Sequence, residues 1–137
     1  MFPVECYEQL LRNAAFGSVR LGANASSVRG TTGAEDDEGT LGRSLRILSF
    51  GSKHLQVTLK KNQVVHFGLY FRYLSDPVNV CGLRLSTGTS KGELRAWMRS
   101  AGIAAIEEIQ PNGVVLQFDN GVVALFDTGL LDSLQVS

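Results

Sequence analysis

Apolar positions along this chain recur with two periods, one helical and one extended. Val4, Tyr7, Leu10, Leu11 and Ala14 follow Pro3 at three- and four-residue spacing and predict an amphipathic helix over about 3–15, broken by Gly17. Leu94, Trp97, Met98 and Ala101 repeat that spacing behind Ser90-Lys91-Gly92-Glu93, a capping box, with Gly102 as the stop. On this helix Trp97 belongs to the core stripe rather than to a ligand platform. A third, polar helical start lies between Asn24 and Arg29.

Alternation takes over elsewhere. Leu45 and Ile47 lead to a Phe50-Gly51 turn; Leu55, Val57 and Leu59 alternate on the next strand, and Val65, Phe67, Leu69, Phe71 and Tyr73 on the one after. Both sets reach one core only through a loop with an odd number of residues, for which Lys60-Lys61-Asn62 is suited, Asn62 accepting a left-handed conformation. Pairing Leu59 with Gln63 then sets Gln56 opposite His66 and His54 opposite Gly68. The outer face of this sheet should display His54, Gln56, Thr58, His66, Tyr70 and Arg72.

Near the C-terminal end, Asn120-Gly121 is a strong hairpin signal, and a two-residue loop there sets Phe118 opposite Val123 and Leu116 opposite Leu125. Thr128-Gly129 supplies a second turn. Pairing Asp127 with Leu130 sets Leu134 opposite Val123, so that Leu116, Phe118, Val123, Leu125, Leu130, Leu134 and Val136 share a face. The opposite face would carry Val115, Val122, Ala124, Phe126 and Leu131 among Gln117, Ser133 and Gln135, which is more apolar than a solvated face. Either another element covers it, or Val115, Val122, Phe126 and Leu131 form a homodimer or partner surface.

The two strand-rich regions share an order. Val19-Arg20-Leu21 corresponds to Leu83-Arg84-Leu85, the helical start after Asn24 to Ser90–Ala101, and each is followed by a meander, at an offset of roughly 64–68 residues. The expected fold is α+β: an N-terminal amphipathic helix over 1–16, then two repeats of short helix plus three-stranded antiparallel meander, 17–75 and 82–137, within one domain of 137 residues.

Charge narrows the function. Thirteen Lys and Arg balance thirteen Asp and Glu, which lacks the basic footprint of a general nucleic-acid binder. No run of about 18 apolar residues suggests a membrane span, and Glu5 and Glu8 in the first helix are unlike a signal peptide, so a cytoplasmic protein is expected. Cys6 and Cys81 are too few for a disulfide scaffold or zinc site and read as two buried thiols. His54 and His66 become diagonal neighbours in the register above, but no third ligand falls on those strands, so no metal or other cofactor is implied.

Neither a nucleophile elbow nor a phosphate-binding glycine loop occurs, and an enzyme is not expected. Glu35, Asp36, Asp37 and Glu38 stand between Gly33 and Gly39 and describe a flexible solvated loop rather than catalytic carboxylates. That run either steers a basic partner or is simply solvated. Glu107-Glu108 follows the later helix at the corresponding place, and the two clusters make one acidic patch if they share an edge.

The two segments GSVRLGANASSVRG…ILSFGSKHLQVTLKKNQVVHFGLYF and GLRLSTGTSKGELRAWM…GVVLQFDNGVVALFDTGLLDSLQV resemble the tandem repeats of small bacterial proteins similar to the beta-lactamase inhibitor protein and to small outer-membrane assembly lipoproteins. The resemblance spans most of 17–137. It implies a binder or inhibitor of another protein, of the kind that includes immunity proteins against toxins. Occlusion of a basic partner is the function expected, with Glu35 to Glu38 steering it and the face around His54, His66, Tyr70 and Arg72 supplying directional contacts. The alternatives are a ligand-binding or catalytic module that uses a cleft between the repeats, with the histidines as acid–base groups, and a purely structural homodimer.

Overall fold

The computed structural model describes residues 2–137 and is α+β, with three α-helices and ten strands. Helix α1 spans Val4–Asn13, α2 Ala25–Thr32 and α3 Lys91–Ser100. Asn24 caps α2 by accepting from the Ser27 amide, and Ser90 caps α3 by accepting from the Glu93 amide, satisfying donors that a helix start leaves orphaned. Helix α1 ends before Gly17, at Ala14, which takes the left-handed conformation itself.

Eight strands form one antiparallel sheet. Strands β1 (Asp37–Leu41), β2 (Leu45–Phe50), β3 (Leu55–Lys60) and β4 (Gln63–Tyr70) follow α2. A single 3-10 turn, Phe71–Tyr73, and the small hairpin of β5 (Val78–Val80) and β6 (Leu83–Leu85) lead to α3. Strands β7 (Ala105–Gln110), β8 (Gly113–Phe118), β9 (Val122–Asp127) and β10 (Leu130–Val136) complete the chain. The strand order is β1-β2-β3-β4-β10-β9-β8-β7, so each group of four is a meander and the groups join along their last strands, β4 and β10. Each meander therefore has four strands, and the additional one in the first half is the segment Asp37–Leu41, which takes in two of the four acids expected to be loop. Among the described residues, no helix is long and apolar enough to cross a membrane.

Parity departs from the expected register in both meanders. The β3–β4 turn has two residues, Lys61 and Asn62, both at positive φ, and the odd residue sits instead in a bulge, with Leu59 paired to Val64 and Thr58 to His66. Val64 consequently enters the core while Val65 is exposed, and Gln56 faces Gly68. Past the strand, Tyr73 is also largely exposed. In the second meander the β8–β9 loop has three residues, Asp119 to Gly121, which turns β9 over relative to a two-residue loop. Val122, Ala124 and Phe126 face the core beside Leu116, whereas Val123 and Leu125 face away. A second bulge, between Leu131 and Ser133, keeps both Leu131 and Leu134 inside. Val122, Phe126 and Leu131 are thus core residues and cannot form the surface expected of them; only Val115 of that set lies on the opposite face.

The helices and the β5–β6 hairpin pack on one side of the sheet over a single apolar cluster that includes Tyr7, Leu10, Phe50, Phe67, Leu94 and Leu134. Trp97 packs against this cluster at its edge, donating to the Cys81 carbonyl at 3.1 Å and lying under the Arg12 guanidinium. Cys6 is buried, but Cys81 is exposed, because it occupies a left-handed position in the β5–β6 turn.

Candidate functional site

The side of the sheet opposite the helices is covered by no described helix, and on it Ser49, Val115 and Ser133 are buried between their neighbours. Side chains of directly paired residues share a face, so one row runs Ser49, Gln56, Gly68, Gln135, Val123 and Gln117 across six strands. A second row runs Tyr70, Ser133, Leu125, Val115 and Glu108. Ile47, Thr58 and His66 form a third. Gln56, Thr58, His66, Tyr70, Val123, Leu125 and Gln135 are half-buried, packed against their neighbours and open above.

Gly68 shapes the centre of this face. A Cβ there would stand 3.2 Å from Tyr70 Cε2 and 3.2 Å from Gln135 Cγ, so the missing side chain lets the tyrosine ring lie across the strand. Burial raises the Tyr70 pKa, Asp132 raises it further and Arg72 opposes both. Gln135 donates to Ser133 Oγ at 3.0 Å, and His66 Nδ1 lies 2.6 Å from Ser137 Oγ. Burial also depresses the His66 pKa, favouring a neutral imidazole. Toward β1, Arg72 stacks on Tyr73 and joins Lys53, Gln56 and Ser49 around a hollow of about 410 Å³.

Gln56, His66 and Tyr70 therefore lie on one face, with Arg72 beside Gln56 at its margin, and His54 does not. It sits in the turn before β3, 3% exposed, on the helix side. The Tyr70 carbonyl 2.9 Å from its Nδ1 can only accept, so Nδ1 carries the proton and Nε2 accepts from the Tyr7 hydroxyl, also at 2.9 Å. The ring stacks on Tyr7 and meets Phe71 edge-on. His54 does line a hollow of about 460 Å³ with Phe2, Asp36, Ser52 and Tyr73, but both of its nitrogens are engaged in holding α1 to the sheet. No cleft separates the halves, because β4 and β10 are hydrogen-bonded neighbours.

Two of the four acids at 35–38 are paired with local cations. Glu35 accepts twice from the Arg29 guanidinium, at 2.8 and 2.9 Å, which pulls its pKa down to about 2. Glu38 pairs with Arg46 at 2.6 Å, and Asp36 accepts from the Ser52 amide. Asp37 faces the open side on the edge strand β1. Glu107 and Glu108 stand on β7, the opposite edge, so the two clusters form no common patch. Glu107 is further bridged by Lys91 and Arg95 of α3.

The charge that does reach the open face comes from elsewhere. Residues 101–137 contain five acids, Glu107, Glu108, Asp119, Asp127 and Asp132, and no Lys or Arg. Strand parity puts Glu108 and Asp127 on the open side, with Asp132 in the bulge of β10 beside Arg72 and Asp127 around a smaller hollow. Among the described residues none of these three makes an ion pair. The signal was present in the sequence as a 37-residue stretch free of cations, masked by the balanced total.

No family model matches the chain, and no curated protein matches it. Among solved structures, an extracellular protein containing an SCP domain from Bacillus anthracis is similar at a TM-score of 0.48 and 9% identity, over 84% of this chain and 43% of that one. This chain thus spans less than half the length of that protein.

Proposed function

We propose that this protein binds another protein on the open face of its sheet and acts by occluding it. The observation that carries this reading is the width of that face: eight strands lie side by side, all the described helices pack on the other side, and the half-buried side chains along its rows mix amide, hydroxyl, aromatic and aliphatic groups. Such a mixture around a fixed tyrosine is the composition of an interface centre. The uncompensated acids of β7, β9 and β10 favour a partner that is basic where it lies over the second half. Two further points support the reading: the resemblance to tandem-repeat inhibitors, and the twofold occurrence of a helix followed by a four-stranded meander, which we read as two copies of one unit.

The test is retention of native lysate proteins on the immobilised wild type and on a Gln56→Arg/Gln135→Arg variant, whose added charges sit on the open face and spare the core. One stoichiometric partner held by the wild type, weakened by moderate salt and lost from the variant is the expected result. A partner held equally by both, or none held by either, overturns it.

A further inference from the structure

The sheet has two free edges, and they differ in character. Strand β1 reads Asp-Glu-Gly-Thr-Leu, with one large apolar residue. Strand β7 carries the two most exposed large apolar side chains of the described residues, Ile106 at 73% and Ile109 at 81%, on alternate faces of the strand. The β7–β8 ladder closes on Gln110 and Gly113, and the Asp119 amide donates to the Ala104 carbonyl at its far end. By antiparallel alternation, Ala104, Ile106, Glu108 and Gln110 spend their main-chain groups on β8, while Ala105, Glu107 and Ile109 direct N–H and C=O off the edge, where Arg95 of α3 donates to the Ala105 carbonyl at 3.3 Å and, among the described residues, the other groups stay unpaired. An apolar hollow of about 300 Å³ formed by Ala104, Ala105, Ile106, Gln117 and Phe118 lies beside them. Unpaired edges with apolar side chains are templates for strand addition, and soluble proteins ordinarily blunt them.

We infer that β7 accepts an extended strand of a partner protein, one that alternates apolar residues with lysine or arginine on the side shared with the open face. Charge selects this occupant. On the open side the rim of β7 and β8 offers Glu108 and Asp119 around Ile106 and Gln117, with no cation on either strand. A second copy of the chain is disfavoured, because its own β7 carries no cation to meet Glu108. A basic strand meets Glu108 with an opposite charge on the open side and lays its apolar residues beside Ile109 on the other. The surface differs from the sheet centre of the proposed function and is testable apart from it.

The probe is an octapeptide of alternating lysine and valine, with the alternating glutamate–valine peptide as its control, read by amide exchange of the whole protein. The expected result is slowed exchange at Ala105, Glu107 and Ile109 with the lysine peptide alone, and affinity that falls with salt. Ile109→Pro removes one off-edge donor without touching the β8 ladder and should weaken binding at least tenfold; Glu108→Lys should transfer the preference to the glutamate peptide. Gln56→Arg/Gln135→Arg should leave peptide binding unchanged, which separates this edge from the open face. Protection at β1 or on the sheet face instead of β7, equal binding of both peptides, or no binding overturns the inference.

Discussion

Replacing Tyr7 by Phe deletes one oxygen from a core that has no other donor for His54 Nε2. The Tyr7 ring is fully buried, its hydroxyl is 2.9 Å from Nε2, and His54 Nδ1 is already donating to the Tyr70 carbonyl. Because His54 is 3% exposed, water does not replace the lost partner, and the imidazole keeps a buried lone pair with nothing to accept. An orphaned buried acceptor costs about 1–3 kcal/mol. Ring volume hardly changes, so a cavity contributes nothing further. Urea unfolding followed through Trp97 fluorescence should show a lower midpoint at an unchanged slope. In a His54→Val background the hydroxyl itself lacks its acceptor, and the same Tyr7→Phe change should cost nothing or stabilise. Equal penalties in the two backgrounds would refute the pairing, since a double-mutant cycle isolates the coupling.

Further outcomes follow from the same geometry. Burial depresses the His54 pKa below its ordinary 6.5, with the Tyr70 hydrogen bond opposing. The unfolded chain therefore takes up its proton first as pH falls, and stability present above about pH 6.5 declines by about 1.4 kcal/mol per pH unit until the folded value is reached. His66 is shifted in the same direction, so His54→Val should flatten, not abolish, the decline in urea midpoint between pH 8 and 5. Val65→Lys should change stability by less than about 0.5 kcal/mol in thermal unfolding, while Val64→Lys buries a charge and should cost about 3 kcal/mol or more, a pair that reports the β4 bulge. Gly113→Ala would overlap the Phe126 carbonyl oxygen and should destabilise by at least about 1–3 kcal/mol, read as a lower unfolding midpoint. In an NMR titration Glu35 should give a midpoint of about 2, rising toward about 4.3 in Arg29→Ala.

Local chemistry was the legible part of this fold. Ser90 with Glu93, Asn24 before Ala25, and Thr128-Gly129 act through neighbours a few residues away, and each helix start and that turn stand where those residues predict. What was not legible was parity. A single residue moved from turn to strand exchanges the two faces, and the sequence around Lys60 to Val65 accommodates either a three-residue loop or a two-residue turn with a bulge. The outcome is decided by packing, which favours Val64 rather than Val65 beneath the helices. The same ambiguity at Asp119 to Gly121 exchanged Val122 and Phe126 with Val123 and Leu125. His54 was misplaced because alternation was extended past the start of β3 into the preceding turn, and because nothing in the sequence announces a tyrosine 47 residues away as its partner. The open-face acids were hidden by summing charge over the chain rather than by region.

The seam between β4 and β10 has a kinetic consequence. Each meander is built from pairings between strands adjacent in the chain, whereas the seam joins segments as distant as His66 and Ser137, 71 residues apart. Closing so long a loop is entropically late work, so the halves should gain their hairpins quickly and zip together slowly, the seam being the high-contact-order step. Tyr70, His66, Ser133 and Gln135 lie on that seam, two from each side. A chain still emerging during synthesis, with β10 unmade, has half a tyrosine-centred surface and an unpaired β4 edge. The face around Tyr70 is therefore complete only once β10 has paired with β4.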